Sequence, residues 1–210
     1  MSKMIHSPLT GVILAGGENR RMGGYHKALL LYDQEPLVRR QIRLLQQICS
    51  KVILVTNEPS LFGHIVSDDV TIIPDVYPGK GPLSGIHAAL SVSRHEQAWV
   101  VACDMPFPSP QAAELMIEVQ SREKSSAVIP YIDNRLHPLH GIYDRTCSER
   151  IPELLRDGRY RVMDFLEAIS CVRVPAEDFQ RKGIDLGFVL NVNTPEEYME
   201  SLQGGAGSLG

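Results

Sequence analysis

The chain has 210 residues, enough for one domain with a substantial buried core on a prior of roughly 150 residues per domain. Hydrophobic residues make up 43% and charged residues 22%, which excludes disordered, collagen-like and disulfide-scaffold classes. With 21 Lys and Arg against 25 Asp and Glu the net charge is -4, so no broad positive field favours nucleic acid or anionic lipid, and any phosphate binding has to be local. The four cysteines, Cys49, Cys103, Cys147 and Cys171, are too far apart for a zinc knuckle or a CxxC redox pair and read as small hydrophobes in a reducing compartment. No apolar stretch approaches a membrane span and the start, MSKMIHSPLT, has no signal-peptide core, so cytoplasmic location is the expectation.

The first β-rich run is Gly11 to Ala15, which ends at paired glycines and feeds a loop from about Gly16 to His26. Apolar positions on one stripe predict a helix over Pro36 to Ile48, and KVILVT from Lys51 predicts a second strand. A third strand is expected at Val70 to Ile73, stopped by Pro74 and Asp75, with a helix at about Leu83 to Ser91. A fourth, Ala98 to Ala102, ends at Cys103-Asp104, after which Pro106, Pro108 and Pro110 lead into a helix reaching about Arg122. Further strands are expected at Ala127 to Pro130, Leu139 to Tyr143, Ser170 to Val174 and Phe188 to Leu190. Helices are expected at Ser148 to Leu155, Val162 to Glu167 and Pro195 to Leu202. Strands alternating with helices require crossover connections, hence a mainly parallel sheet in an α/β fold of Rossmann-like architecture. The expected single domain spans residues 1-203, in two halves at about 8-106 and about 107-203, and residues 204-210 form a flexible glycine-rich tail.

The loop LAGGENRRMGGYHKALL, Leu14 to Leu30, places glycines at 16, 17, 23 and 24 beside the cations Arg21 and Lys27. Glycines let backbone approach a ligand closely and the cations can donate to phosphate oxygens, so the composition is that of a phosphate cradle. It is neither a Walker A loop nor a G-x-G-x-x-G dinucleotide fingerprint. A solvated surface loop is the competing reading; its departure from a core strand, at the edge where α/β sheets bind ligands, favours function.

Leu14-Ala15-Gly16-Gly17, Arg21-Met22-Gly23 and Lys27 together resemble the signature of the sugar-nucleotide and cofactor nucleotidyltransferases, and most closely the molybdenum cofactor guanylyltransferases. The resemblance continues through Asn57, Pro74-Asp75, Gly79 to Gly85, Cys103 to Pro106 and Asn191 to Pro195, so it covers nearly the whole chain in five ordered blocks. It implies a three-layer α/β/α nucleotidyltransferase fold with a mainly parallel mixed sheet, and gives the nucleotide to the half at about 8-106 and the acceptor to the half at about 107-203. The activity it implies is transfer of GMP from GTP to the terminal phosphate of molybdopterin or its molybdenum-loaded form, with Mg2+ as cofactor and release of pyrophosphate. A molybdopterin-delivering protein is an implied partner. A cytidylyltransferase acting on molybdopterin, a sugar-phosphate nucleotidyltransferase and a non-catalytic nucleotide-binding domain are the competing readings.

The attacking phosphate oxygen in such a reaction is already ionised, so the protein has to supply charge neutralisation and alignment rather than a general base. The resemblance assigns Asp104 to magnesium, and its place at the end of the fourth predicted strand suits that role; capping the following helix is the residue-level alternative. Lys27 and Arg21 join Asp104 as the catalytic set, both expected at the nucleotide phosphates, although a loop lysine or an arginine bonded to loop carbonyls fits the residues as well. The resemblance puts the backbone of Leu14, Ala15, Gly16 and Gly17 along the nucleotide, with Asn57 and Asp75 around the guanosine. Either of the last two could instead close a turn. Gly81 lies in a segment suited to close backbone contact before a helix, or to a tight strand-to-helix turn. Asn191 and Asn193 face the same way if the chain is extended there, bordering the active site by resemblance or forming a turn before Pro195. His137 and His140 have no third ligand at zinc spacing and are expected in a strand-edge segment facing the acceptor side, while His87 is expected on a helix face.

Overall fold

The computed structural model describes residues 8-16, 26-32 and 34-192. Leu9–Leu14 form β1, buried at all six positions, because this apolar run is covered on both faces of the sheet. Gly11 within it makes room for the first helix: a Cβ there would stand 2.8 Å from Leu45 Cδ2. A short antiparallel pair follows, β2 (Leu31–Tyr32) and β3 (Glu35–Pro36), then α1 (Leu37–Leu45), whose buried Leu37, Val38, Ile42 and Leu45 form the expected helical stripe. Next come β4 (Lys51–Val55), β5 (Val70–Ile73), α2 (Pro82–Val92), β6 (Gln97–Ala102) and α3 (Pro110–Glu123). Ser109 caps α3, accepting the Ala112 N–H at 3.1 Å, and Pro110 takes a first-turn position where its missing N–H costs nothing. The second half contains β7 (Ala127–Ile132), β8 (Arg135–Leu136), β9 (His140–Asp144), α4 (Ile151–Arg156), α5 (Val162–Glu167), β10 (Cys171–Pro175) and α6 (Ala176–Arg181).

The sheet runs β10-β7-β9-β6-β1-β4-β5, with β8 paired to β7. β1 is parallel to both β4 and β6, β5 continues in parallel beyond β4, and β10 is parallel to β7. β9 runs against both β6 and β7, which makes the sheet mixed but mainly parallel. Alternation along the strands divides the core between the two faces. Ile13, Trp99 and Ile142 pack with α1, α3 and α6, while Val12, Val100 and Tyr143 pack with α2, α4 and α5. The result is the three-layer α/β/α arrangement. None of the helices among the described residues is long and apolar enough to cross a membrane.

One strand expectation is overturned. Leu186–Val189 is a 3-10 turn rather than a strand over Phe188 to Leu190, because Asp185 accepts the Gly187 N–H at 2.7 Å and closes the turn from its first residue. Phe188 is nonetheless buried, its ring 5.0 Å from that of Phe179 on α6. The expected helix from Ser148 starts as a 3-10 segment, Arg145–Arg150, capped by Asp144, before α4 begins. The expected Pro195 to Leu202 helix and the tail at 204-210 lie outside the described residues.

His140 does not face an acceptor side. It is fully buried beneath α3, between the rings of Trp99 at 5.2 Å and Phe188 at 4.6 Å. Its Nε2 accepts the Ser109 N–H at 3.2 Å, so the neutral ring carries its hydrogen on Nδ1. Burial pushes its pKa down to about 3. Because the native state stays neutral while the unfolded histidine protonates near 6.5, the stability this group contributes is complete above about pH 6.5 and is lost as pH falls toward 3. Urea unfolding between pH 4.5 and 7 should show this loss, with His140→Gln flattening the slope by about 1 kcal/mol per pH unit. An unchanged slope would contradict the buried neutral state.

Candidate active site

The parallel strands β1, β4, β5 and β6 end along one edge, and their last residues are tied to one another. Ala15 N–H donates to Val55 O at 2.9 Å, Thr56 N–H to Ile73 O at 2.9 Å and Cys103 N–H to Leu14 O at 3.1 Å. The four strand ends are therefore locked in register, and the residues following each strand emerge side by side. This is the edge at which open α/β sheets bind ligands. Leu14 and Ala15 are buried, with the Leu14 carbonyl and the Ala15 N–H already used in the sheet. Gly16 is exposed with open space around its Cα, so it presents the accessible backbone of the three.

Lys27 opens a 3-10 turn, Lys27–Leu29, which α1 backs through the Leu37 N–H bonded to Leu30 O at 2.8 Å. Its Nζ lies 3.5 Å from Asp104 Oδ2, and the residue is largely buried. Asp104 sits third in the turn Ala102 to Met105, closed by Met105 N–H to Ala102 O at 3.2 Å. Burial pushes the Asp104 carboxyl above its ordinary range, and the Lys27 ammonium pulls it partly back. Asp104 Oδ1 is buried with no hydrogen-bond partner among the described residues. A buried carboxylate oxygen with no partner among the described residues fits a hard cation, and magnesium commonly takes only one or two protein carboxylates beside phosphate oxygens and water. Asp104 makes no cap to α3; Ser109 does that.

Asn57 and Asp75 meet on the β4–β5 side. Asn57 Oδ1 accepts the Asp75 N–H at 3.0 Å, and Asp75 Oδ1 accepts from the Ser84 hydroxyl and, at 3.3 Å, from the Tyr77 N–H. Ser84, fully buried on α2, also accepts the Tyr77 N–H at 2.9 Å. The two residues thus form a turn, as one of the alternatives has it, and the same bonds bring them together at the ends of β4 and β5. Gly81 begins α2 with φ of +72°, a left-handed conformation that favours glycine. Beside it, Lys80 Nζ donates to the Tyr160 hydroxyl at 3.0 Å and lies 4.3 Å from the ring centre, joining this segment to the α4–α5 connection.

Val192 N–H donates to Asp104 O at 2.8 Å, which brings exposed Asn191 to the same edge. Gly17, Arg21 and Asn193 lie outside the described residues. His87 is on α2 as expected, with its ring 5.9 Å from Tyr77. Ser84 belongs to the Gly79 to Gly85 segment that the sequence offers for ligand contact, whereas Tyr160 and Gln41 carry no such signal. Ser84 and Tyr160 lie 9 and 80 residues from their partners Asp75 and Lys80, and nothing local signals those pairings.

The Lys27–Asp104 pair, the exposed Gly16 backbone and the Asn57–Asp75 contact gather on the carboxyl edge of the parallel strands, an arrangement that suits a phosphate-bearing ligand in an α/β protein. The chain belongs to the family described as the MobA-like NTP transferase domain, which matches residues 11-172. It is 37% identical over 193 residues to a protein of Pelotomaculum thermopropionicum named "Probable molybdenum cofactor guanylyltransferase", covering 91% of each chain. It is 31% identical over 189 residues to the "Molybdenum cofactor guanylyltransferase" of Desulfosudis oleivorans, covering 90% of this chain and 92% of that one. The crystal structure of molybdopterin-guanine dinucleotide biosynthesis protein A from Archaeoglobus fulgidus shares the fold, with a TM-score of 0.80 at 23% identity over 94% of this chain and 98% of that one.

Proposed function

We propose that this chain transfers GMP from GTP to the terminal phosphate of molybdopterin or molybdenum cofactor, releasing pyrophosphate. The observation that carries the reading is the Lys27–Asp104 pair, 3.5 Å apart on an edge that also gathers Asn57, Asp75 and Asn191, in a chain whose relatives bear the guanylyltransferase name. Lys27 neutralises phosphate charge during attack and departure, and the exposed Gly16 backbone lets the triphosphate approach. Asp75 accepts from donors on the guanosine while Asn57 and Ser84 hold it in place. Magnesium, held through Asp104, supplies Lewis-acid neutralisation of the triphosphate. Arg21 and Gly17 add contacts to the phosphates, and Asn193 works beside Asn191 at the acceptor. In this reading the acceptor arrives in the cytoplasm, handed over by a molybdopterin-delivering protein.

Thermal melts with GTP, CTP, ATP and UTP, each with and without magnesium, test the nucleotide half of the proposal. A ligand at 100 times its Kd stabilises the fold by about 2.7 kcal/mol. GTP with magnesium should give the largest shift, and transfer of labelled GMP to molybdopterin should follow. A larger CTP response would move the assignment to a cytidylyltransferase, and GMP transfer to a sugar phosphate but not to molybdopterin would overturn the acceptor.

A further inference from the structure

Gln41 lies on the buried face of α1 with no solvent exposure. A glutamine there loses its hydration, so its amide has to find partners in the protein. It finds two on one turn: Nε2 donates to Ala102 O at 2.8 Å and to Met105 O at 2.7 Å. These carbonyls belong to the first and last residues of the turn that carries Asp104 third. One NH2 group spends both hydrogens bridging the ends of that turn from behind. The adjacent Arg40 extends the hold, its Nε donating to Pro106 O at 3.1 Å and its guanidinium lying 4.7 Å from the centre of the Tyr32 ring. The same helix backs the turn that opens with Lys27, so α1 references both members of the Lys27–Asp104 pair to one rigid element.

We propose that Gln41 is a positioning residue that fixes the Asp104 turn in the orientation needed to hold a nucleotide-bound magnesium ion. The inference rests on the proposed function of Asp104. A carboxylate that must meet a metal and a triphosphate together tolerates little angular drift, and the Cys103 N–H to Leu14 O and Val192 N–H to Asp104 O bonds hold the middle of its turn while Gln41 holds both ends. Gln41 touches neither substrate nor metal; it acts through the backbone on either side of Asp104.

The test is calorimetric titration of GTP into the full chain, in EDTA and again in excess magnesium, for the parent, Asp104→Asn and Gln41→Leu. Leucine nearly matches the glutamine volume and removes both donors. The parent should bind GTP about tenfold or more tightly with magnesium, and Asp104→Asn should lose that gain. Gln41→Leu should bind GTP in EDTA within about threefold of the parent, lose most of the magnesium-linked gain, and in excess magnesium show GTP KM raised several-fold together with a kcat reduced about tenfold. If Asp104→Asn loses the gain and Gln41→Leu keeps it, the positioning role is wrong although the assignment of Asp104 stands. If the parent shows no gain, or Asp104→Asn retains it, the assignment of Asp104 fails and this role falls with it. Should Gln41→Leu not fold, Gln41→Met keeps an unbranched stem for the same titrations. Equal loss of GTP affinity with and without magnesium, or failure of both variants to fold, would make Gln41 a residue of the core alone and overturn the proposal.

Discussion

Asp104→Asn is expected to lower GMP transfer by about 10³-fold while leaving the protein at least as resistant to unfolding as the parent. The two effects have one cause. Asp104 is held mostly out of water with no partner for Oδ1 among the described residues, and burial raises its pKa despite Lys27. A carboxyl raised in this way favours the fold when protonated, a contribution present below the unfolded value and lost as pH rises through the folded one. The ionised carboxylate therefore costs the fold stability, and a neutral amide of the same shape removes that penalty. The amide also removes the anionic oxygen that a hard cation requires. Steady-state transfer and urea unfolding of the same preparations check both halves. Transfer within about tenfold of the parent would sink the metal assignment, and a large loss of stability would show that Asp104 is structural.

What could be read from the sequence followed from how punctuation and periodicity work. β1, β4, β5 and β6 are short β-rich runs bounded by Gly16, Thr56-Asn57, Pro74-Asp75 and Cys103-Asp104, so the strands and the residues at their ligand-binding ends came together. Asn57, Asp75 and Asp104 were accessible in this way because each follows the end of a strand, whereas Lys27, which opens a turn, was reached through the cations of the glycine-rich loop and the resemblance. Phe188 misled because an apolar triplet looks the same in a strand and in a capped 3-10 turn, and only the Asp185 carboxylate decides between them. α6 has six residues with one buried anchor, Phe179, too short for helical periodicity to register. His140 is a different failure. It was expected in a strand-edge segment facing the acceptor side, whereas the partner that permits its burial, the Ser109 N–H, is 31 residues away. Gln41 left a trace that could have been followed: an uncharged amide inside the apolar stripe of α1 must bond to something buried. What it bonds to is set by the crossover from α1 through β4 to β6, a long-range arrangement that local pattern does not encode.

Lys27→Ala is expected to reduce kcat/KM for GTP by about 10²- to 10³-fold, with the loss appearing in kcat as well as in GTP affinity. The ammonium of Lys27 is largely buried 3.5 Å from Asp104 Oδ2, so it acts in a medium where one charge counts for more than at the surface. It balances the carboxylate in the free protein and, in the reaction proposed above, the charge that builds on the phosphates. Lys27→Arg should recover little, because a wide planar fork replaces a compact ammonium that sits largely buried 3.5 Å from Asp104 Oδ2. The decisive measurement is the cycle Lys27→Ala, Asp104→Asn and both together, read as transfer rates. Groups that act as one unit do not add, so the double variant should be less than about tenfold slower than the worse single variant. Multiplied losses would mean that the two side chains serve separate steps, and the pairing would then be a contact of the free protein rather than a feature of its chemistry.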